Sequence, residues 1–211
     1  MNARRALLGA LLIACCFSAV AQGAVAPGAA AAASASSVPP ALSGAALIKA
    51  LRMGGLVIYF RHTATDFSRR DDAMKGYDDC ANQRLLSEQG RTDATLLGQR
   101  IRALKLPVAE VLASPMCRTM EHATLTFDRA TPTPELREAD AGDYPGLKQL
   151  LGKPVAQGAN RWIVGHGIPF RAATGEPQLA EGEAVVIRPG ATRWAVLARI
   201  TIDQWSAFPL R

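Results

Sequence analysis

The sequence lacks the short motifs and the composition that metal-binding, nucleic-acid-binding and membrane-spanning proteins usually show. It has no Cys-x-x-Cys and no His-x-x-x-His spacing, which argues against a metal site built from these residues. Its three Trp, three Tyr and six Phe form no evident stacking platform and its basic residues are scattered, which argues against a nucleic-acid partner. The longest apolar stretch falls short of the ~20 residues that a membrane-spanning helix needs.

The first part of the chain has the pattern of an export signal followed by a linker. Two arginines form a basic start, Ala6 to Val20 is a short apolar core, and small residues follow. Cleavage after this segment would remove residues 1–21 as a signal peptide. Residues 22–41 then form a low-complexity linker, because no pattern there could bury a face. We expect residues 42–211 to fold as a single domain.

A second interpretation of the same segment stays open. Residues 12–15 (LIAC) resemble the lipobox of bacterial lipoproteins, which would leave Cys15 acylated as a membrane tether. Ordinary signal cleavage is preferred, and either route predicts an exported protein in the periplasm or the envelope. Removal of the two signal arginines would lower the formal net charge from +6 to +4. This mildly basic balance suits a small anionic substrate.

Two cysteines, Cys80 and Cys117, remain in the folded part of the chain. An oxidising compartment favours a disulfide between them. Two buried thiols that never meet are the alternative, because sequence spacing fixes no distance between them. The sequence leaves both open, and it does not indicate an oligomeric state.

Alternating strand and helix patterns predict an α/β fold with three layers, in which helices flank a mostly parallel central sheet. Ser87 and the Ser114-Pro115 pair are the expected N-terminal caps of the two helices that the pattern predicts best. The predicted strands are Leu56–Phe60, Glu110–Ala113, Arg161–Gly165, Glu183–Arg188 and Trp194–Ile200, and the two helices are Ser87–Leu104 and Met116–Phe127.

Two histidines stand where apolar strands end. Arg61 and His62 close the run LVIYFRH, and His166 closes the run RWIVGHG. Arg118 lies in the first turn of a predicted helix, where the helix dipole disfavours a cation unless an anion, either a carboxylate or a substrate, lies nearby. Because ligands of parallel sheets gather at the carboxyl ends of the strands, these side chains should share one pocket. A strand-end Arg-His pair that merely caps the sheet is the structural alternative.

Five segments resemble, in order, the motif series of the histidine phosphatase superfamily, in the branch that includes phosphoglycerate mutases and small bacterial phosphatases. They are RHT (61–63), LSEQGRTDATLLG (86–98), SPMCRTMEHA (114–123), LREADAGDYPG (136–146) and VGHG (164–167). The resemblance runs through nearly the whole of the part that follows the linker. Five motifs in the expected order are a far more specific signal than one Arg-His pair. The resemblance implies a phosphoglycerate mutase-like fold.

The resemblance also implies roles for particular residues. His62 would be the nucleophile that becomes phosphorylated, and Arg61, Arg118 and His166 would surround the phosphoryl group. Glu138 matches the glutamate of the family's Leu-x-Glu motif, the usual proton donor. Arginine forks suit phosphate oxygens, and the nucleophilic imidazole needs one bare nitrogen while the other is held by a hydrogen bond. This chemistry implies no metal or organic cofactor.

Several assignments have alternatives. Asp140 is the reserve proton donor, and Glu138 could instead be a solvated loop carboxylate. Thr65 matches a position at which many members touch phosphate, although a capping hydroxyl is an alternative. We interpret His122, which lies one helical turn after Arg118, as a packing or supporting residue.

The sequence therefore predicts an exported phosphomonoester hydrolase, a phosphatase of the histidine acid type that acts on a small phosphorylated substrate. The segment between Glu138 and His166 is short, which favours an open site and hydrolysis over mutase chemistry. One alternative is a catalytically inactive protein of the envelope that binds phosphate or polyanions. Another is a phosphatase specific for a lipopolysaccharide or a phosphoprotein, and the lipobox slightly favours it. Specificity in this superfamily comes from variable loops, so the sequence does not name the substrate.

Overall fold

The computed structural model describes residues 41–138, 142–190 and 193–210, which contain a six-stranded sheet and its flanking helices. The predicted signal peptide and linker lie outside the described residues. The strands are β1 (Leu56–Arg61), β2 (Glu110–Ala113), β3 (Thr131–Pro132), β4 (Asn160–Gly165), β5 (Ala184–Arg188) and β6 (Ala195–Ile200). The helices are α1 (Gly44–Met53), α2 (Glu88–Ala103), α3 (Cys117–Phe127), α4 (Pro145–Gly152), α5 (Gly167–Thr174) and α6 (Gln204–Ala207).

The sheet has the strand order β3-β2-β4-β1-β5-β6. The first four strands in this order are parallel to their neighbours, whereas β5 is antiparallel to both β1 and β6. Only β5 therefore runs against the common direction. This arrangement confirms the prediction of a mostly parallel sheet.

The central strands are buried on both faces, as their continuous apolar runs indicate. Side chains of β1 alternate between two cores: Ile58 and Phe60 pack with α1, α2 and α3, while Val57 and Tyr59 pack with α4 and α5. The sheet is thus the middle layer of three, as predicted. No helix among the described residues is long and apolar enough to cross a membrane.

The cap of α3 differs from the prediction. Met116, with φ −61° and ψ 141°, is still extended, so the helix begins at Cys117 and Met116 occupies the N-cap position without a side-chain hydrogen bond. Ser114 remains at the edge of the sheet, because its N–H donates to the Val164 carbonyl at 3.0 Å. The prediction that Ser114 caps α3 is therefore wrong. By contrast, Ser87 caps α2 as predicted and accepts from the Gly90 N–H at 3.1 Å.

Cys80 and Cys117 form a disulfide, with their Cα atoms 5.8 Å apart. Of the two alternatives that the sequence left open, the structure shows the bridged one. The bond joins the loop that follows β1 to the first residue of α3. It therefore fixes that loop next to Arg118, the residue that follows Cys117 in the helix.

Candidate active site

The two strand-end histidines come together at the carboxyl edge of the sheet. Strands β1 and β4 are adjacent and parallel, with Arg61 opposite Gly165, so the residues that follow them leave the sheet side by side. The ring centroids of His62 and His166 are 5.5 Å apart, and the rings are inclined at 71°. Their side chains are buried, with His62 2% and His166 7% exposed. The fold thus brings the two histidines together, as the sequence predicts.

The His62 ring is held in one tautomer. Its Nδ1 lies 2.9 Å from the Thr63 carbonyl oxygen, which can only accept, so Nδ1 carries the proton and Nε2 is bare. Burial lowers the pKa of His62 to about 3, the Thr63 hydrogen bond opposes this, and the positive charges of Arg118 and Arg61 lower it further. The imidazole is therefore neutral and nucleophilic at neutral pH.

Thr63, whose carbonyl oxygen accepts the hydrogen bond from His62, is fixed by two further hydrogen bonds. Its N–H donates to Nδ1 of His122 at 3.1 Å, and its hydroxyl donates to the Gly90 carbonyl at 2.8 Å. Burial lowers the pKa of His122 to about 3, so this ring is neutral and accepts at Nδ1. His122 therefore supports the segment that follows His62.

His166 is fixed through both its backbone and its ring. Its N–H donates to the Tyr59 hydroxyl and its carbonyl accepts from the same hydroxyl, both at 2.9 Å. Its Nε2 lies 2.9 Å from the Ser114 hydroxyl oxygen. Burial, with the nearby His62 and Arg118, holds the pKa of His166 well below its ordinary value. The ring is neutral in this arrangement, so a charge-assisted hydrogen bond from it would require the ring to gain a proton.

Arg118 has a carboxylate as its anionic partner, one of the two kinds of anion expected from its position in the first turn of α3. Its guanidinium is 4% exposed and pairs with Asp71 at 3.1 Å, and it also donates to the Arg84 carbonyl at 3.2 Å. The Arg118 Nε is buried and has no hydrogen-bond partner among the described residues. Arg118 thus has a structural carboxylate and one buried donor that no described residue satisfies.

Arg61 and Thr65 are joined by a residue that the sequence analysis missed. Oε1 of Glu181 accepts from Nη2 of Arg61 at 3.3 Å and from the Thr65 hydroxyl at 2.7 Å. Its Oε2 accepts from the Thr65 N–H at 3.2 Å. Because Thr65 gives both of its protons to Glu181, its role as a phosphate donor stays a prediction. Nothing in the sequence pattern around Glu181 distinguishes it from a solvated carboxylate.

Glu138 lies in an exposed segment close to the site. Its Oε1 accepts from the Tyr77 hydroxyl at 3.0 Å. The preceding residue, Arg137, adds to the positive charge that lowers the pKa of both His166 and Arg118, which places this segment near these two residues. The role of Glu138 as proton donor stays a prediction, and Asp140, the reserve candidate, lies outside the described residues.

Within residues 41–138, 142–190 and 193–210, no three His, Cys, Asp or Glu side chains are grouped so that they could hold a metal ion. What the site does gather is two neutral imidazoles and two arginines at one edge of the sheet. Each of these arginines is paired with an acidic side chain. Such a site is suited to an anion that is bound by charge-assisted hydrogen bonds.

The comparisons with known proteins agree with this fold. The model of the histidine phosphatase superfamily (branch 1) matches residues 57–176, which is more than half of the chain. The chain therefore belongs to this superfamily. The matched range contains all six residues that the resemblance assigned to the site, whereas Glu181 lies beyond it. No curated protein sequence matches the chain.

Solved structures of similar fold include the protein histidine phosphatase SixA complexed with tungstate, with a TM-score of 0.51 and 18% identity. That likeness covers 70% of this chain and 97% of that one, and it concerns the fold. A phosphoserine phosphatase from Entamoeba histolytica, in complex with phosphoserine, has a TM-score of 0.49 and 13% identity, covering 71% of this chain and 98% of that one.

Proposed function

We propose that this chain is a phosphomonoester hydrolase that works through a phosphohistidine on His62. The observation that carries the proposal is the state of that imidazole. Its Nδ1–H is fixed on the Thr63 carbonyl, its Nε2 is bare, and its pKa of about 3 keeps it neutral. The ring of His166 lies 5.5 Å away, and Arg61 and Arg118 are close enough for their charges to lower the pKa of His62. This is the arrangement that an in-line attack on phosphorus needs.

In the first step, Nε2 of His62 attacks the phosphorus atom and the bond to the ester oxygen breaks. Arg61, Arg118 and His166 stabilise the charge on the equatorial phosphoryl oxygens. The departing alkoxide takes a proton from Glu138, which is thereby left as a carboxylate. The products of this step are the free alcohol and the phosphohistidine.

In the second step, water attacks the phosphohistidine and the bond to Nε2 breaks. The Glu138 carboxylate accepts a proton from the water, which restores the acid for the next cycle. Inorganic phosphate then leaves. Neither step as proposed uses a metal or an organic cofactor.

The short segment between Glu138 and His166 favours hydrolysis over transfer to a second position of the substrate. Between Glu138 and His166, the described residues contain one helix of eight residues, Pro145–Gly152, and strand β4. A mutase has to retain its phosphoenzyme while the substrate reorients, which requires a covered pocket. A short segment is better suited to the entry of water.

The first test is the variant His62→Ala, assayed with an aryl phosphate. We expect hydrolysis to disappear while the unfolding midpoint stays close to that of the native chain. Incubation of the native protein with a 32P-labelled substrate should trap label that is released by acid and stable to base, and His62→Ala should trap none. Residual activity above a trace in the variant contradicts the mechanism. Binding of phosphate without turnover or trapped label would identify an anion-binding protein instead.

The second test concerns the proton donor. We expect Glu138→Gln to slow the hydrolysis of alkyl phosphates by roughly 100-fold or more, within the range that general acid catalysis contributes. Aryl phosphates should be affected much less, because a phenolate leaves without full protonation. If both substrate classes lose activity equally, the acid is another residue, and Asp140→Asn is the next variant to test.

We further propose that the protein is exported. The Cys80–Cys117 disulfide supports export, because such bonds persist in oxidising compartments. Mass spectrometry of the mature protein from a bacterial host tests the proposal and its two processing routes. A chain that begins at residue 22 indicates ordinary cleavage, an acylated Cys15 indicates a lipoprotein, and an intact Met1 in the cytoplasmic fraction contradicts export.

A further inference from the structure

We propose that Glu181 is a positioning residue for phosphate binding, whose carboxylate fixes the Arg61 guanidinium together with the turn that carries Thr65. This inference rests on the proposed function, because it assigns Arg61 to the phosphoryl group. Glu181 lies outside the motifs that carry the family resemblance and acts through other side chains.

The backbone around Glu181 is bound to the end of β1. The Gly182 N–H donates to the His62 carbonyl at 2.9 Å, and the Arg61 N–H donates to the Glu183 carbonyl at 3.0 Å. Gly182 has a φ of +77°, a left-handed conformation that favours glycine. These hydrogen bonds fix the position of the Glu181 backbone next to residues 61–65.

The segment that carries Glu181 is also anchored by Glu183 and Leu179. The Glu183 carboxylate accepts from the Ala180 N–H at 2.8 Å and forms an ion pair with Arg199 at 2.7 Å. The Leu179 side chain is 1% exposed, within the core on the α4 and α5 face of the sheet. Glu181 is therefore carried by a segment with fixed ends, and its carboxylate can hold the side chains that it contacts.

The contacts of Glu181 leave part of Arg61 available for a ligand. Of the five N–H groups of a guanidinium, one on Nη1 donates to the Leu179 carbonyl at 2.8 Å and one on Nη2 donates to Glu181 at 3.3 Å. These two hydrogen bonds fix the orientation of the planar guanidinium group. The orientation of its remaining N–H groups is therefore fixed as well. Without them, a flexible side chain would have to be ordered by the substrate at each binding event.

The contacts with Thr65 act on the nucleophile's turn. Both oxygens of Glu181 hold Thr65, one through its hydroxyl and one through its N–H. Thr65 lies three residues after His62. Thr63 lies between them, and its carbonyl oxygen accepts the hydrogen bond from the His62 ring. Glu181 thereby holds the far end of the turn, while His122 holds its beginning. In this arrangement both the hydroxyl and the N–H of Thr65 donate to Glu181.

Three substitutions at Glu181 test the inference. Glu181→Ala removes all three contacts, and Glu181→Asp keeps the charge but shortens the side chain. Glu181→Gln can keep an oxygen in the place of Oε1, which accepts from both Arg61 and the Thr65 hydroxyl. The matched control is Glu176→Ala, in the same loop, because the Glu176 side chain has no hydrogen bond or ion pair within the described part of the chain.

The readouts are KM and kcat for an aryl phosphate, together with the Kd of inorganic phosphate measured by calorimetry. We expect Glu181→Ala and Glu181→Asp to raise both KM and the phosphate Kd by about tenfold, since hydrogen bonds to charged groups have effects of this order. Glu181→Gln should show a smaller rise, and Glu176→Ala should match the native chain. If Glu181→Ala does not fold, the comparison of the Asp and Gln variants carries the test.

Two results overturn the inference. In the first, the Glu181 variants lose thermal stability but keep the native KM and phosphate Kd, which indicates a purely structural role. In the second, phosphate binds more tightly to Glu181→Ala than to the native chain, which indicates that the carboxylate competes with phosphate. Absence of hydrolysis by the native chain would contradict the proposed function instead, and phosphate calorimetry would still decide the role of Glu181.

Discussion

Mild acid should destabilise this protein through its histidines. The chain has three, His62, His122 and His166, and all are buried in the folded state. Burial lowers the pKa of His62 and of His122 to about 3 and holds that of His166 well below 6.5. In the unfolded chain each imidazole regains a pKa of about 6.5. Below that pH the unfolded state therefore binds more protons than the folded state, and the free energy of unfolding falls.

The size of the effect follows from the pKa differences. Each histidine whose pKa is lowered contributes a loss of about 1.4 kcal/mol per pH unit below 6.5, down to its folded pKa. At pH 5, His62 and His122 together account for about 4 kcal/mol, and His166 acts in the same direction. A loss of about 4 kcal/mol is a large share of the roughly 5–15 kcal/mol that stabilises a typical domain. Carboxylates with lowered pKa values, such as Asp71, act only below about pH 4.

The assay is urea unfolding at pH 7.5, 6.0 and 5.0, followed by the fluorescence of the buried tryptophans Trp162 and Trp205. We expect the stability of the native chain to fall by about 3 kcal/mol per pH unit below 6 through His62 and His122 alone, with His166 acting in the same direction. The variant His122→Asn removes one of these titrating groups, so its slope should be smaller by about 1.4 kcal/mol per pH unit. A stability that is constant between pH 7.5 and 5, or a slope unchanged by His122→Asn, would refute the buried neutral state of these rings.

Two further predictions concern the supports of the site. The double variant Cys80→Ser, Cys117→Ser opens a link between residues 37 positions apart. On the chain-entropy model it should lower the free energy of unfolding by about 4 kcal/mol, measured by denaturant unfolding against the oxidised native chain; an unchanged stability would contradict this. In Gly165→Ala, the new Cβ would overlap the Tyr59 hydroxyl, which holds the backbone of His166. We expect a loss of about 1–3 kcal/mol in stability together with reduced aryl phosphate hydrolysis, whereas native-like values for both would show that the site tolerates the displacement.

Much of the fold follows from the sequence because it depends on local patterns. The apolar runs before His62 and His166 identify β1 and β4 nearly to the residue, since a strand buried on both faces needs continuous apolar side chains. The parallel arrangement of these strands brings both histidines to one edge of the sheet. Helices α4 and α5, of eight residues each, are too short for their periodicity to stand out from the loops around them.

The hydrogen bonds that define the chemistry depend on which residues the chain brings together from a distance. The sequence identifies His62 and Arg118 as candidates but gives neither the tautomer of the first nor the carboxylate that pairs with the second. Glu181 meets Thr65 across 116 positions, and Asp71 meets Arg118 across 47. Ser114, which local rules assign to a helix cap, instead lies against His166, because the sheet continues one residue further. Local composition determines strands, helices and the residue types of the site, whereas the path of the chain decides which polar groups meet, and hydrogen bonds form only at short range.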